Sequence, residues 1–210
     1  MRARHKKWAA PFLEEHPELV LTSIEEDDHF WSAPLFLEIG AGKGDFSLGL
    51  SSKYLDHHIL ALERDTSISG LFAKKAIAAE TKNLRIAPVD FDFIFEEIKD
   101  LRFEKIFLNF SDPWPKKKHW KRRLTTMGRL SQMASLLKEG GEIRFKSDND
   151  SLYAFTKEEA IKANLVIQKD EPNYVFDEND DFLSEYEKGF RAEGKPIHRL
   201  ILVVAKKVVE

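Results

Sequence analysis

The sequence predicts an α/β fold in which a parallel sheet carries helices on both faces. Short apolar runs alternate along the chain with longer amphipathic segments, and this alternation is typical of strand–helix–strand units. A glycine-rich turn follows the first apolar run, at the point where such folds bind nucleotide-like ligands. The 210 residues suit one domain, and a composition that is 42% hydrophobic and 33% charged is ordinary for a soluble globular protein.

Seven apolar runs are predicted strands. Five lie in the alternating part of the chain, at residues 35–39, 59–62, 84–89, 106–110 and 142–145, and two follow at 165–169 and 198–204. The amphipathic segments between them predict helices at 45–54, 67–80, 93–101 and 125–138, then at 152–162 and within 177–191. Gly140 and Gly141 are expected to end the fourth of these helices, because glycine is favoured just after a helix.

Residues 1–33 differ from the rest of the chain and predict a basic N-terminal arm laid over a single domain of residues 34–210. This arm is rich in charge and proline, and its isolated apolar anchors are Trp8, Phe12, Phe30 and Trp31. Its basic tip, which includes Arg2 and Arg4, is a candidate ligand contact.

The composition argues against several classes of protein. Without cysteine there can be no disulfide and no thiolate metal ligand, which agrees with a cytoplasmic protein. The seven histidines show no metal-binding spacing, and no apolar stretch approaches the roughly 20 residues of a membrane span. We therefore expect no metal, no membrane association and no export.

The glycine-rich turn contains Gly40, Gly42 and Gly44 between a buried strand and a helix. Residues without a Cβ let a ligand approach the backbone closely. The spacing is Gly-x-Gly-x-Gly, whereas pyrophosphate-binding dinucleotide folds use Gly-x-Gly-x-x-Gly. The turn therefore predicts a nucleotide-like cofactor and disfavours a nicotinamide dinucleotide.

Four acids, Glu38, Glu63, Asp90 and Asp112, lie at the ends of four predicted strands. Glu63 follows Gly42 at close to the ~20-residue offset of a ribose ligand, and Asp90 could accept a hydrogen bond from the exocyclic amino group of a base. Glu38 lies in an apolar strand and needs a partner, which a cationic amino group of a cofactor would supply. Each acid alone could equally cap a helix, but together they suit a cationic cofactor such as S-adenosylmethionine, and hence methyl transfer.

The segment 109–123 places Asp112 directly before two prolines and a cationic block. Pro113 and Pro115 are expected to hold Asp112 and Trp114 in a rigid, extended turn. A chain with a net charge of -3 concentrates six of its 33 Lys and Arg residues in eight positions: Lys116, Lys117, Lys118, Lys121, Arg122 and Arg123. A solvated basic turn is the simpler interpretation, but this asymmetry favours a phosphate-binding surface beside Asp112.

Over nearly its whole length the chain resembles the bacterial tRNA (guanine-N7-)-methyltransferases. The segments that carry the resemblance are 1–8, 38–44, 109–123, 145–149 and 184–187, of which 109–123 is the most specific. The resemblance implies a Rossmann-like class I methyltransferase fold, with a doubly wound, mostly parallel sheet and an antiparallel last strand. It also implies S-adenosylmethionine as cofactor, tRNA as partner, and N7-methylguanosine in the variable loop as product.

The resemblance further assigns residues by their match to the family's motifs. Glu38, Glu63, Asp90 and Asp112 match S-adenosylmethionine-binding positions, and Asp112 also matches the proposed catalytic acid. The positions that match substrate-binding residues are Lys116, Asp148, Ser184, Glu185, Tyr186 and Glu187. Those that match an RNA-contacting segment are Lys118, His119, Trp120, Lys121, Arg122 and Arg123. The departures from the family pattern are Ser184 for threonine, Pro88 before Val89, and Arg64 with Asp65 after Glu63.

Guanine N7 carries a lone pair and no hydrogen, so its methylation needs no general base. We expect Asp112 to align the base and, with Asp148, to accept hydrogen bonds from its N1–H and N2–H edge. Trp114 and Trp120 could stack on the base, although packing beneath the loop is the commoner role of tryptophan. Three alternatives stay open: a methyltransferase acting on an exocyclic amine, a nicotinamide oxidoreductase, and a non-catalytic RNA-binding protein. Both a monomer and a homodimer fit the sequence.

Overall fold

The structure is a computed structural model that describes residues 5–21, 23–24 and 29–205. The predicted basic tip with Arg2 and Arg4 lies outside the described residues. All seven predicted strands are confirmed: β1 (Leu35–Ile39), β2 (His58–Leu62), β3 (Leu84–Ala87), β4 (Phe103–Asn109), β5 (Leu137–Ser147), β6 (Leu165–Glu171) and β7 (His198–Val204).

The strands form one sheet in the order β3-β2-β1-β4-β5-β7-β6. β1 pairs in parallel with β2 and β4, and the pairs β2–β3 and β4–β5 are also parallel. β7 is antiparallel to both β5 and β6, so it alone runs against the other six strands. The doubly wound, mostly parallel sheet with an antiparallel last strand is therefore confirmed. Because the chain winds outward in opposite directions from β1 and β4, a crevice is expected at their carboxyl ends.

Helices cover both faces of the sheet. Seven α-helices lie within the described residues: α1 (Ala9–Glu14), α2 (Asp45–Lys53), α3 (Thr66–Ala78), α4 (Phe91–Ile98), α5 (Met127–Ser135), α6 (Asp150–Lys162) and α7 (Glu185–Ala192). In β1 the side chains alternate between the faces. Phe36 packs in a core with Phe46 of α2 and Phe72 of α3, whereas Leu37 packs in the core that contains Leu130 of α5.

The prediction that Gly140 and Gly141 end a helix is wrong. α5 ends at Ser135, and both glycines lie inside β5, which begins at Leu137. A Cβ added to Gly141 would lie 3.0 Å from the carbonyl oxygens of Lys138 and Phe103. Gly141 is therefore favoured by the close approach of the β4 and β5 backbones, and not by a helix end.

The described part of the predicted arm lies against α3 and the edge strand β3. Ala9 of α1 leaves no room for a side chain at Gly70 of α3, where an added Cβ would lie 2.7 Å from the Ala9 Cβ. The Lys74 ammonium lies 3.8 Å from the centroid of the Trp8 ring, and Val20 forms a parallel bridge with Ile86. These contacts place the described beginning of the chain beside the N-terminal half of the sheet.

Candidate active site

The glycine-rich turn follows β1 and has an open face. Gly40, Gly42 and Gly44 have φ angles of +80°, +58° and +81°, a region that favours glycine. The Gly40 N–H donates to the carbonyl of Leu62 at 2.8 Å, which holds the turn against β2. A Cβ at Gly44 would overlap the Phe72 ring, whereas one at Gly40 would meet no atom within 4 Å. The turn thus packs tightly against α3 at Gly44 and exposes its backbone on the opposite side, at Gly40.

Glu63, directly after β2, fixes this turn through its carboxylate. Its Oε2 accepts a hydrogen bond from the Gly42 N–H at 2.9 Å, and its Oε1 accepts one from the Asp65 N–H at 2.9 Å. Burial raises the pKa of Glu63, and the two backbone donors oppose that rise. Each carboxylate oxygen can accept more than one hydrogen bond, so Glu63 can also receive ligand hydroxyl groups.

Arg64 brings two of the predicted site acids together. Its guanidinium lies 3.5 Å from Asp90 Oδ2 and 3.3 Å from Asp112 Oδ2. Asp90 also caps α4 by accepting from the Asp92 N–H at 3.2 Å. The ends of β2, β3 and β4 are therefore joined at one edge, as predicted for the acids. The bridge from Arg64 to Asp90 and Asp112 was not predicted from the sequence. The available signal was the position of Arg64 directly after Glu63, which places it at this edge of the sheet.

Glu38 lies beneath the turn, and its hydrogen-bond partners come from the chain. Its carboxylate accepts from Ser47 Oγ at 2.5 Å and from Asn109 Nδ2 at 3.0 Å. Burial raises its pKa to about 7, against the opposing effects of these hydrogen bonds and of Lys146. Ser47 and Asn109 supply the partners that the buried carboxylate needs within the chain, and the predicted contact of Glu38 with a cofactor amino group stays a prediction. Glu38 thereby links β1 to α2 and to the end of β4.

The N-terminal end of α7 lies over the glycine turn. Ser184 caps this helix, its hydroxyl accepting from the Glu187 N–H at 3.1 Å. Lys43 donates to Glu185 Oε1 at 2.9 Å, and the Tyr186 ring would lie 3.9 Å from a Cβ on Gly42. Predicted substrate-binding and cofactor-binding residues are thus adjacent in space.

Glu187 and Lys146 form a buried charge cluster that holds α7 on the sheet. Lys146 Nζ lies 2.6 Å from Glu187 Oε2 and 2.8 Å from Asp181 Oδ2, and Glu187 Oε1 lies 2.7 Å from Arg191. The Glu187 side chain is 0% exposed and its carboxylate ties α7 to β5, while its predicted contact with substrate stays a prediction. We call these four residues the Lys146 cluster. Sequence reasoning missed this cluster, and the available signal was a lysine at the buried end of β5.

The cationic block divides into exposed and interior residues. A 3-10 helix, Lys117–Arg122, follows the Asp112 turn. Arg123 is 0% exposed. Its guanidinium lies 4.5 Å from the Trp120 ring centroid, and Trp120 packs edge-on against Phe155 at 5.6 Å. Trp120 therefore packs beneath the loop, and Arg123 is not at the surface. The cations that are exposed are Lys116, Lys117, Lys118, Lys121 and Arg122, whereas His119 is half-buried.

The turn that carries Asp112 has an unusual backbone. Phe110 and Trp114 have φ angles of +54° and +40°. The prediction that Trp114 is extended is therefore wrong. Its ring meets His119 edge-on at 5.8 Å and lies 5.1 Å from the Arg122 guanidinium. These contacts hold Trp114 in a conformation that its sequence neighbour Pro115 does not by itself favour.

Asp148 and Lys116 lie at the same edge of the sheet as Asp112. Asp148 follows β5, which pairs with β4 so that Asn109 lies opposite Lys146. It is half-buried, and Asn149 directly after it caps α6. Lys116 is the exposed residue that precedes the 3-10 helix. Asp112 and Asp148 thus follow two neighbouring parallel strands and leave the sheet at the same edge.

The donors and acceptors of this edge fit S-adenosylmethionine. Glu63, Asp90 and Asp112 offer carboxylates to hydroxyl groups, an exocyclic amine and positive charge. The open side of the turn at Gly40 leaves space for a ligand. In the described part of the chain, no group of three or more His, Asp or Glu side chains is placed to hold a metal ion. No helix there is long and apolar enough to span a membrane.

Residues 32–200 match a protein-family model described as a putative methyltransferase. The chain is 34% identical over 209 residues to a tRNA (guanine-N(7)-)-methyltransferase of Limosilactobacillus reuteri, covering 96% of this chain and 98% of the relative. It is 37% identical over 206 residues to the enzyme of the same name from Staphylococcus haemolyticus, covering 95% of this chain and 96% of that one.

Solved methyltransferase structures share the fold. An antibiotic-related methyltransferase superposes with a TM-score of 0.63 at 15% identity, covering 86% of this chain and 95% of that one. The 16S rRNA methyltransferase KamB superposes with a TM-score of 0.62 at 13% identity, covering 90% of this chain and 99% of that one. At these identities the likeness concerns the fold alone.

Proposed function

Because this chain belongs to the tRNA (guanine-N7-)-methyltransferase family, we propose that it transfers the methyl group of S-adenosylmethionine to N7 of a guanine in the variable loop of tRNA. The protein is a methyltransferase whose cofactor is S-adenosylmethionine and whose substrate is tRNA. The observation that carries the assignment of the site is the ion pairing of Arg64 with both Asp90 and Asp112, at the edge that also holds the glycine turn.

The chain holds the cofactor through backbone and carboxylate groups. S-adenosylmethionine supplies a methyl group on a positively charged sulfur. Glu63 accepts hydrogen bonds from ribose hydroxyls, and Asp90 accepts one from the adenine amino group. The turn Gly40–Gly44 admits the cofactor to bare backbone, which a side chain at Gly40 would obstruct. Asp112 contributes negative charge beside the reacting centre.

Asp112 and Asp148 recognise and orient the guanine. N7 has no proton to lose, so the site requires alignment and charge stabilisation rather than a general base. Carboxylates accept from the N1–H and N2–H donors of guanine, whereas adenine lacks that pair of donors. Positive charge that develops on the purine during methylation is stabilised by the same groups. Asp112 therefore contributes both to the selection of guanine over adenine and to the rate of methyl transfer.

The exposed cations next to Asp112 dock the tRNA. Lys116, Lys117, Lys118, Lys121 and Arg122 lie on the chain within ten residues of Asp112 and are exposed. Contacts with phosphates give affinity that falls as salt rises. A guanine held within the tRNA fold must be unstacked to reach Asp112. The position of the cationic block next to the acid lets one surface bind the RNA and present the base.

The direct test is incubation of unmodified tRNA with labelled S-adenosylmethionine, followed by nuclease digestion and mass spectrometry of the nucleosides. We expect N7-methylguanosine from the variable loop. A label on an exocyclic amine would refute the N7 assignment. Tight tRNA binding without label would indicate a non-catalytic binding protein. A larger rise in melting temperature with NAD than with S-adenosylmethionine would contradict the cofactor assignment.

A further inference from the structure

Arg123 is the one cation of the block 116–123 whose side chain is fully buried. It is 0% exposed, and it is the largest of the fully buried side chains in the described residues. Its hydrogen bonds go to neutral groups: Nε donates to the Pro113 carbonyl at 2.8 Å, and NH2 donates to Ser151 Oγ at 3.1 Å. Burial lowers the pKa of its guanidinium, with no opposing carboxylate among the described residues.

A buried cation without a carboxylate partner is costly, because water no longer solvates the charge. The Trp120 and Phe155 rings, 4.5 Å and 4.6 Å from the guanidinium carbon, offset part of that cost through cation–π contact. Binding RNA phosphates does not require burial, and the exposed Arg122 beside it could do so. The buried position therefore needs another explanation.

The Pro113 carbonyl is part of a strained turn. Asp112 lies between Phe110 and Trp114, whose φ angles of +54° and +40° are unfavourable for residues with side chains. Such conformations persist when surrounding contacts determine them, and they concentrate at functional sites. Pro113 has no N–H and cannot donate to the turn itself. The turn must therefore be held from outside.

Besides the Arg64 ion pair and the Trp114 ring contacts, two hydrogen bonds to the backbone hold the turn on either side of Asp112. Before Asp112, the Phe110 N–H donates to the Lys146 carbonyl at 2.9 Å. After Asp112, the Arg123 guanidinium donates to the Pro113 carbonyl. The Arg123 backbone is itself fixed, because its carbonyl accepts from Arg129 NH1 at 2.9 Å. The guanidinium thus forms a stiff link from the basic segment to the peptide next to Asp112.

We propose that Arg123 is a positioning residue for Asp112 and makes no contact with tRNA. Its planar fork joins the Pro113 carbonyl to the N-terminal end of α6 at Ser151 and so keeps the Asp112 carboxylate aimed into the cleft. This inference rests on the proposed function, since Asp112 is the acid that orients the guanine. The role differs from that of the exposed cations next to it in sequence.

The test compares Arg123→Lys, Arg122→Gln and Arg102→Lys in the full chain. Arg123→Lys keeps the charge but loses the fork. Arg102 is an exposed arginine that also donates to backbone carbonyls, at Lys99 and Leu101, and it serves as the matched control. We measure the single-turnover methylation rate at saturating tRNA and S-adenosylmethionine, and the tRNA Kd at several salt concentrations.

For Arg123→Lys we expect at least a tenfold lower rate, with the tRNA Kd within twofold and its salt dependence unchanged. For Arg102→Lys we expect the wild-type rate. Arg122→Gln is expected to raise the tRNA Kd and to flatten its salt dependence. A wild-type rate in Arg123→Lys, or a salt dependence flattened as in Arg122→Gln, would overturn the proposal.

A second variant covers the case in which Arg123→Lys does not fold. Ser151→Ala removes only the hydroxyl acceptor, and the Ser151 residue is exposed. We expect about a threefold lower single-turnover rate with an unchanged tRNA Kd; an unchanged rate would overturn the proposal. Failure of the wild-type protein to make N7-methylguanosine would instead refute the proposed function, so the two failures are distinguishable.

Discussion

The Lys146 cluster allows a quantitative prediction about stability. Lys146, Asp181 and Glu187 are 3%, 5% and 0% exposed, so replacing Lys146 with methionine leaves two buried carboxylates, of which Glu187 keeps an ion pair with Arg191 and Asp181 keeps a hydrogen bond from the Phe182 N–H. Removing one partner of a buried ion pair costs about 3–5 kcal/mol. For a domain of this size that loss of unfolding free energy lowers the Tm by about 6–20 °C.

Urea unfolding of the Lys146→Met variant measures this loss. The matched control is Lys138→Met, because Lys138 is 48% exposed and pairs with Glu104 at the surface. Exposed pairs contribute less than about 1 kcal/mol, so the control should unfold near the wild-type midpoint. A double variant, Lys146→Met with Glu187→Met, tests whether the two charges depend on each other.

We expect the double variant to lose less stability than the two single variants added together, because it removes both the cation and one of the carboxylates left unpaired. Two outcomes would refute the reasoning. One is a loss below about 1 kcal/mol for Lys146→Met, which would mean that water reaches the cluster. The other is strict additivity, which would mean that the two charges do not interact.

Four further predictions concern the site. Burial raises the pKa of Glu38 from an ordinary 4.5 to about 7, so its contribution to stability is present at low pH and is lost as the pH rises through that interval. Between pH 5 and pH 8 the wild type should lose roughly 2–3 kcal/mol of unfolding free energy relative to Glu38→Gln; parallel urea midpoints in the two proteins would contradict this. Asp112→Ala should lower the methylation rate at least ~100-fold while tRNA binding is retained, and near-normal turnover would remove Asp112 from catalysis. Arg64→Gln removes a cation that competes with a cationic cofactor for the same acids, so calorimetry should show up to about fivefold tighter S-adenosylmethionine binding; weaker binding would show that Arg64 contacts the cofactor. Neutralising the exposed cations Lys118, Lys121 and Arg122 together should lower the slope of log Kd against log salt for tRNA by about 2–3. An unchanged slope would show that tRNA binds to another surface.

The sequence predicted the sheet well because buried strands are apolar throughout. β1 and β7 have the predicted bounds. The start of β5 was missed by five residues, at Leu137 instead of Glu142. The two adjacent glycines are locally typical of a helix end, but they lie in an irregular part of the β4–β5 ladder, where β4 carbonyls approach Gly141 closely. A non-local contact of this kind leaves no periodic signal in the chain.

The candidate site was predictable where it depends on strand ends. Glu63, Asp90 and Asp112 follow three strands, and parallel strands bring such positions to one edge. The conformation of the basic segment was not predictable from its charge alone. Trp120 lies in the 3-10 helix and Arg123 follows directly after its end, and the guanidinium lies 4.5 Å from the Trp120 ring centroid. Their three-residue spacing was visible in the sequence, but a helix of this type was not expected there.

Because β7 lies between β5 and β6 in the sheet, it sets the order in which these strands can pair while the protein is being synthesised. β6 ends at Glu171, and β7, the strand that pairs with it, begins only at His198. While the intervening residues are being synthesised, β6 therefore has no partner strand in the sheet. α7, which lies over the glycine-rich turn, is synthesised within that interval. The glycine-rich turn therefore gains its cover late, and a nascent chain that stalls before β7 would carry β6 as an unpaired edge strand.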